Sequence, residues 1–500
     1  MIFKYFIKKM RIEYHMKKCL LAFLILFFFP ILLTSCGQNE DISSYSMHIV
    51  FDDETKSLCV SQSVNYINTS DNAFESIKFH LYPNAFCEDA KRSPVSIANK
   101  SVAYPNGESF GNIEISSVCV DGESCDFQIA GEDDNILIVP LKNLLYPDER
   151  VDIAMQYNVL LPNINHRFGY GNKTINLANF YPIACVYDEG SGYMEKPYTT
   201  NGDPFYSDIA NYEVRIEYNK SYTLASTGTN QTTVSKDNKT TICKAKSVRD
   251  FAIVLSKDFQ MLSKKVGNVE MEYYFTDDPN AKSSLDLSQK ALSFFSERFG
   301  EYPYAKFSVV QNDFLYGGME YPNLVMISNQ LNEEEKNYVI VHEIAHQWWY
   351  GIVGNNEYDE AWVDESMTEY STALFFENHS EYGFDYDAIV TKANGSFKFF
   401  FDVYKSVLNE VDTSMDRSLD EFATEPEYFH CVYTQGIIMF DSLRELVGEK
   451  KIYKCFRDYF DRYAFSNARG VDLIFSFSKT CMTNLESFFE SYLKGKVVEL

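Results

Sequence analysis

The motif His342-Glu343-Ile344-Ala345-His346 is the feature that most limits what this chain can fold into. It lies in a segment from Glu333 to Trp349 that is predicted to be helical. Residues four apart share one face of a helix, so both imidazoles can point at a single metal ion. Glu343 lies beside them, where its carboxylate can take a proton from metal-bound water. Taken alone, the motif leaves open the alternative that His342 and His346 are ordinary packed residues of a helix and bind no metal.

A second predicted helix, Trp362–Asn378, carries Glu365, and eighteen residues separate it from His346. A loop through Gly354-Asn355-Asn356 can return this helix to the first, so that Glu365 completes three protein ligands. Three ligands with a fourth position open to water are the pattern of a catalytic zinc site. Glu369 lies one turn further on the same side. It can hydrogen-bond a ligand histidine or be a solvated helix carboxylate, and the sequence leaves both open.

These motifs resemble those of the gluzincin zinc aminopeptidases of the aminopeptidase N and leukotriene-A4 hydrolase type. Gly317-Gly318-Met319-Glu320 is similar to the family's Gly-x-Met-Glu-Asn motif, whose glutamate binds the free α-amino group of the substrate. The resemblance implies the same role for Glu320, and substrate-backbone contacts for Gly317, Gly318 and Met319. Tyr321 departs from the family, which often has asparagine there.

Tyr433 resembles the family's tyrosine in a Tyr-x-Lys-Gly segment, whose hydroxyl stabilises the oxyanion; Gln435 replaces the lysine. The resemblance therefore implies one Zn²⁺ per chain, Glu343 as the catalytic base, and peptides with a free N-terminus as substrates. Two alternatives stay open at this point. One is a zinc endopeptidase without an amine anchor, and the other is a lipid-anchored binding protein with an inactive peptidase fold.

The pattern of elements predicts an α+β protein with two domains after a leader. Residues 40–262 read as a β-rich domain, with strands at 77–82, 136–139 and 212–218 separated by turn signals. Residues 263–500 read as α-rich, with a strand at 271–275 and further helices at 284–299 and 436–447. The resemblance implies a thermolysin-like catalytic domain here, and we expect no helical C-terminal domain of the kind that longer members carry. Cys119 and Cys125 are close enough in sequence for a bridge across a hairpin.

The N-terminus predicts export. Met16-Lys17-Lys18 precedes an apolar segment from Cys19 to Leu33, which is short for a membrane span and fits a signal peptide. Leu33-Thr34-Ser35-Cys36-Gly37 resembles the lipobox of bacterial lipoproteins. Residues 1–36 are then a lipoprotein signal, and Cys36 would carry the lipid that anchors the protein to the outer face of a bacterial membrane. The formal net charge of −26 argues against nucleic acid as a partner, because phosphates are bound by lysine and arginine.

Overall fold

The structure of the protein is a computed structural model that describes residues 42–497. The predicted lipoprotein signal at residues 1–36, with Cys36, lies outside the described residues. From Ser43 onwards the chain forms one compact unit. None of the helices in the described range is long and apolar enough to cross a membrane.

Strands dominate the first half of the described chain. They are β1 (Ser43–Asp52), β2 (Ser57–Ile67), β3 (Phe74–His80), β4 (Asn112–Val120), β5 (Glu123–Cys125), β6 (Gln128–Ala130), β7 (Ile136–Leu145), β8 (Arg150–Leu160), β9 (Phe168–Tyr170), β10 (Thr174–Leu177), β11 (Ile183–Ala184), β12 (Tyr187–Asp188), β13 (Gly192–Tyr193), β14 (Ala210–Asn219), β15 (Thr223–Ser226), β16 (Thr229–Val234), β17 (Asn238–Val248) and β18 (Ile253–Ser256). A single turn of helix, α1 (Lys100–Ala103), interrupts them.

The largest sheet in the described range has the order β16-β17-β14-β1-β2-β8-β4-β5. Strand β8 shows why these sequences form it, because its residues alternate strictly between exposed and buried. Side chains of a strand point to opposite faces in turn, so Val151, Ile153 and the following alternate residues cover one face. That face shares a hydrophobic core with two four-stranded sheets, β15-β18-β10-β9 and β11-β3-β7-β6.

The second half is mainly helical around a five-stranded sheet of order β19-β20-β21-β23-β22. Its strands are β19 (Gln260–Val266), β20 (Val269–Phe275), β21 (Lys306–Asn312), β22 (Gly318–Met319) and β23 (Leu324–Ser328), and β24 (Val353–Gly354) pairs with β25 (Ser466–Asn467). The helices are α2 (Ala281–Arg298), α3 (Glu333–Ala345), α4 (Glu357–Glu360), α5 (Trp362–Asn378), α6 (Tyr386–Leu408), α7 (Glu425–Phe429), α8 (Gln435–Val447), α9 (Glu449–Tyr463), α10 (Gly470–Cys481) and α11 (Glu486–Leu493). Strand β22 lies at the sheet edge and pairs only with β23 within the described chain.

The predicted α+β class, a β-rich part followed by a helical part, is confirmed. The helix predicted at 362–378 has those bounds, whereas the helix predicted to reach Trp349 ends at Ala345. His346 is its C-cap, and the chain then folds back with hydrogen bonds from Ile352 N to Gln347 O and from Val353 N to Trp348 O. The domain limits 40–262 and 263–500 stay a prediction; the step from 262 to 263 falls inside β19.

Cys119 and Cys125 lie on the β4–β5 hairpin, but the register does not bring the thiols together. Cys119 is opposite Ser124, and Cys125 is opposite Val118. Neighbouring residues of a strand point to opposite faces, so the two thiols lie on opposite faces of the hairpin. Both are free cysteines, and the bridge suggested by their spacing is wrong.

Candidate metal centre and substrate cleft

The start of α3 is fixed by its own side chains. The Asn332 side chain accepts a hydrogen bond from Glu335 N (3.0 Å), and the Glu335 carboxylate accepts one from Asn332 N (3.1 Å). This reciprocal capping box satisfies backbone donors that the first turn leaves unpaired. The buried ammonium of Lys336 lies 2.8 Å from the Asp278 carboxylate, beside the start of α2. The helix that carries both histidines is therefore anchored before it reaches them.

His342, His346 and Glu365 bring three ligand atoms together. Their Nε2 and Oε2 atoms lie 3.1 Å (His342 to His346), 3.4 Å (His342 to Glu365) and 3.2 Å (His346 to Glu365) apart. Ligands at about 2.0–2.1 Å from zinc in a tetrahedron are about 3.3–3.4 Å from one another. All three side chains are buried, and Glu365 Oε2 has no hydrogen-bond donor. The donor set of two imidazoles and one carboxylate thus fits a single zinc ion.

The outer nitrogens of both imidazoles also have partners. His346 Nδ1 donates to Trp349 O at 2.9 Å, which turns Nε2 toward the centre. Glu369 Oε1 lies 3.0 Å from His342 Nδ1, while Glu369 Oε2 accepts a hydrogen bond from the Tyr338 hydroxyl at 2.6 Å. Glu369 is thus buried and lies beside a candidate ligand histidine, and its role there stays a prediction.

Glu343 faces the same space with one oxygen, Oε2, buried and unpartnered. Burial raises the pKa of this carboxyl to about 7, although the charges of His342 and His346 act in the opposite direction. Strand β22 passes directly over it, since a Cβ added at Gly318 would lie 2.4 Å from Glu343 Oε1. Only glycine allows the backbone to come this close to the carboxylate.

Glu320 directly follows the same edge strand and is 3% exposed. Its Oε1 has no hydrogen-bond donor, and a carboxylate oxygen lies within 4.8 Å of a ring nitrogen of His346. Gln347, the residue after His346, holds the backbone in place by donating to Glu320 O at 3.2 Å. Burial, followed by the charge of Asp203, raises the pKa of Glu320 well above its ordinary value. A buried acceptor without a donor is suited to an incoming cation.

Tyr433 reaches the centre from a short π-helix, His430–Thr434, between α7 and α8. Its ring stacks on that of His342 with centroids 6.0 Å apart, and its hydroxyl donates to Glu365 Oε1. Burial, and then the charge of Glu365, raises the pKa of this phenol well above its ordinary value. The hydroxyl therefore stays protonated and can act as a hydrogen-bond donor beside the ligand set.

Comparison with known proteins identifies the family to which the second half of the chain is similar. Residues 283–492, which contain the three ligands, Glu343 and Tyr433, match the family described as Peptidase family M1 domain. These residues are a peptidase family M1 domain. Helices α2 (residues 281–298) and α11 (residues 486–493) lie at the two ends of this matched region.

Relatives of the M1 domain are aminopeptidases of greater length. Human endoplasmic reticulum aminopeptidase 2 is 26% identical over 256 residues, which are 47% of this chain and 25% of the relative. Aminopeptidase N of Lactobacillus delbrueckii subsp. lactis is 26% identical over 236 residues, which are 42% of this chain and 26% of the relative. The matched regions thus span about a quarter of the length of these relatives.

Solved structures extend the likeness to nearly the whole chain. A mutant of an M1 zinc metallopeptidase from Deinococcus radiodurans has a TM-score of 0.64 at 15% identity and covers 92% of this chain and 95% of that chain. The same mutant bound to a Tyr-Ser-Ala substrate has a TM-score of 0.63 at 15% identity, with the same coverage. At this identity the likeness shows that the M1 domain and the β-rich part before it share one fold with that protein.

Two departures from the family motifs have a structural account. Tyr321 is fully buried in the core of the β-rich part, where its hydroxyl donates to the Asn179 side chain. Gln435 is also buried and donates to Tyr492 O at 3.4 Å. Neither side chain is among the residues that line the cleft.

Asp203 and Arg167 lie in the cleft, although sequence motifs gave neither of them a role. Asp203, from the β-rich part, forms an ion pair with the buried Arg167 guanidinium. Both residues line the cleft. Asp203 belongs to the segment Gly202–Ser207, which carries none of the motifs described above. Only the fold brings it near Glu320, because the two are far apart in sequence.

A second group of possible metal ligands, Glu320, His346 and Asp364, shares His346 with the first. It offers a single nitrogen, and Asp364 already accepts a hydrogen bond from the Asn355 amide at 3.0 Å. Zinc favours nitrogen and sulfur ligands, so His342, His346 and Glu365 form the better site. The whole cleft encloses about 800 Å³, which is the size range of small-ligand sites.

Proposed function

We propose that this protein is a zinc-dependent aminopeptidase that removes N-terminal residues from peptides. One observation carries the proposal: Glu320 presents a buried, unpartnered carboxylate oxygen next to the ligand His346. An endopeptidase has no use for such a group, since its substrates have no amine near the cleaved bond. The Tyr-Ser-Ala substrate held by the Deinococcus relative agrees with a peptide in this cleft.

His342, His346 and Glu365 would hold the zinc ion. When bound, zinc lowers the pKa of a coordinated water molecule and polarises the carbonyl of the bond to be cleaved. The surrounding protein contributes the orientation of the ligands, because Trp349 O and Glu369 fix the two imidazole rings.

The remaining steps belong to the chain's own residues. Glu320 pairs with the substrate ammonium and so sets its first residue at a fixed distance from the centre. Glu343 takes a proton from the attacking water and passes it to the leaving nitrogen. Tyr433 donates its hydroxyl hydrogen to the negative oxygen that develops on the carbonyl. Gly317, Gly318 and Met319 offer the open edge of β22 to the substrate backbone, as an added strand would need.

The first experiment separates metal binding from proton transfer. Glu343→Gln is expected to retain zinc and lose turnover, because it keeps the size of the side chain and removes the base. His346→Ala is expected to lose both. Zinc content by atomic absorption and hydrolysis of aminoacyl aryl amides measure the two effects. Near-normal turnover by Glu343→Gln would exclude Glu343 as the base. Absence of turnover in zinc-loaded wild type would instead favour an inactive fold that only binds peptides.

The second experiment tests the amine anchor. Wild type is expected to cleave a free-amine peptide at least about 10²-fold faster than its N-acetylated form, since the buried Glu320 carboxylate would be left unpaired by the blocked substrate. Glu320→Gln should remove most of this difference by slowing only the free-amine substrate. Equal rates on the two forms in wild type would favour the endopeptidase.

We also propose that the protein is exported and held at the outer face of a bacterial membrane by a lipid on Cys36. The supporting features are Met16-Lys17-Lys18, the apolar segment Cys19–Leu33 and the lipobox-like sequence Leu33–Gly37. Cell fractionation is expected to find the wild type with membranes and Cys36→Ser in the soluble fraction. Mass spectrometry should detect a lipid on the N-terminal Cys36 peptide, and an unmodified Cys36 in a membrane-free protein would refute the anchor.

A further inference from the structure

The edge strand and the metal-binding helix α3 run alongside each other in a register that can be read residue by residue. Glu320 lies next to His346 and is held by Gln347. Two residues before Glu320, a Cβ added at Gly318 would touch the Glu343 side chain. At Gly317 the nearest atom to such a Cβ is Val339 Cγ2, at 3.2 Å.

This register gives the cleft a direction. With its ammonium at Glu320, a peptide has its first peptide bond near Glu343 and Gly318. After the cleaved bond, the peptide must then continue with its second residue toward Gly317 and Val339. Val339 lies on α3, about one helical turn before His342. The side chain of that second residue is therefore received by the part of the cleft around Val339.

The cleft has different chemistry at its two ends. Near Glu320 it is lined by polar and charged groups, among them Asp203 and the buried Arg167. At the Val339 end the cleft has an apolar wall that comes from several elements, next to the charged residues Glu334, Glu335 and Lys392. The side chains of this wall are Leu331, Val339, Phe384, Ile389, Ala393 and Ile437.

The apolar compartment, defined by these six residues, is part of the packed core and so has a fixed shape. Ile389, Ala393 and Ile437 are at most 7% exposed, and the other three pack against the same core. Phe384 meets the Tyr338 ring edge to face at 5.2 Å, and Tyr338 in turn bonds Glu369, the partner of His342. The wall is thus tied to the metal ligands themselves.

The geometry points to a substrate class for the proposed aminopeptidase: peptides whose second residue is apolar and of leucine or phenylalanine size. This inference rests on the proposed function, because it places the ammonium at Glu320. A leucine side chain buried in the apolar compartment gains the hydrophobic free energy that a glycine lacks. Acidic second residues are disfavoured by the apolar wall, and the negative charges of Glu334 and Glu335 in the cleft lining outnumber the single positive charge of Lys392.

The test uses dipeptide amides that share an N-terminal alanine and differ only in the second residue. The amide cap removes any effect of a terminal carboxylate. Wild type is expected to give kcat/KM values for Ala-Leu-NH₂ and Ala-Phe-NH₂ about 10–100-fold above that for Ala-Gly-NH₂, with Ala-Asp-NH₂ lowest. Absence of hydrolysis of every free-amine substrate would overturn the proposed function, whereas hydrolysis at equal rates would overturn only this inference.

Two variants assign the selectivity to the apolar compartment. Ala393→Phe fills it and should lower the Leu-to-Gly ratio by about tenfold while Ala-Gly-NH₂ is still cleaved. Ala388→Phe makes the same exchange at an exposed position of α6 and should leave the ratio unchanged. Because Ala393→Phe can overpack the core, Phe384→Ala is made in parallel; it enlarges the compartment and should raise kcat/KM for a tryptophan second residue relative to leucine. Ratios that stay at the wild-type value in both Ala393→Phe and Phe384→Ala would overturn the assignment.

Discussion

Gly318→Ala tests how closely the substrate edge strand must approach the proposed base. Neither Gly317 nor Gly318 has a positive φ, so alanine can adopt either backbone conformation and the effect is steric alone. The new Cβ at position 318 would lie 2.4 Å from Glu343 Oε1 and 2.6 Å from its Cγ and Cδ atoms. Ordinary contacts need at least 3.4 Å, so the carboxylate or the strand must move by about 1 Å.

A shift of this size in a catalytic group costs about 10²-fold in rate, or about 2.7 kcal/mol in the activation barrier. Gly317→Ala is the matched control, because its Cβ would meet only Val339 Cγ2 at 3.2 Å, which a small side-chain adjustment relieves. The assay is kcat/KM on an alanyl aryl amide, with zinc content and thermal unfolding measured for both variants. We expect full zinc content in both and a loss below about tenfold in Gly317→Ala. Losses that agree within about threefold would refute the steric reasoning.

Three further predictions follow from the contacts of the site and its supports. Tyr433→Phe should lower kcat by about 10²–10³-fold with zinc retained, because it removes one donor to the oxyanion; a loss below about fivefold in stopped-time hydrolysis assays would exclude that role. Asp278→Asn should lower the free energy of unfolding in urea by about 3 kcal/mol, since the Lys336 ammonium, 6% exposed, loses its buried partner and keeps only the exposed Glu333. A strong chelator should abolish hydrolysis, and stoichiometric Zn²⁺ should restore it in wild type but not in His346→Ala; activity that survives in metal-free protein would contradict the metal site.

Local sequence patterns were sufficient to predict the three candidate metal ligands. Helical spacing puts His342 and His346 on one face, and the intervening loop is long enough to return Glu365 to them. Each of these groups is close in sequence to the next, so the pattern predicts the contact without knowledge of the rest of the fold. The same holds for α5, whose predicted bounds agree with the structure. The extra turn predicted for α3 was wrong because, from His346 on, the backbone forms a turn closed by hydrogen bonds between residues five apart, as from Ile352 N to Gln347 O.

The other features of the cleft depend on burial and on contacts between residues that are far apart in sequence. No spacing rule places Asp203 near Glu320, or joins Leu331, Phe384, Ala393 and Ile437 into one apolar wall, because they meet only when separate elements pack. Glu369 had two possible roles in the sequence, and only the fold brings its Oε1 atom to 3.0 Å from His342 Nδ1. The sequence by itself therefore predicted the three candidate metal ligands, since these lie on neighbouring helices. Only the tertiary structure placed Glu320, Glu343 and the apolar compartment along one cleft, because these groups belong to elements that meet only in the folded chain.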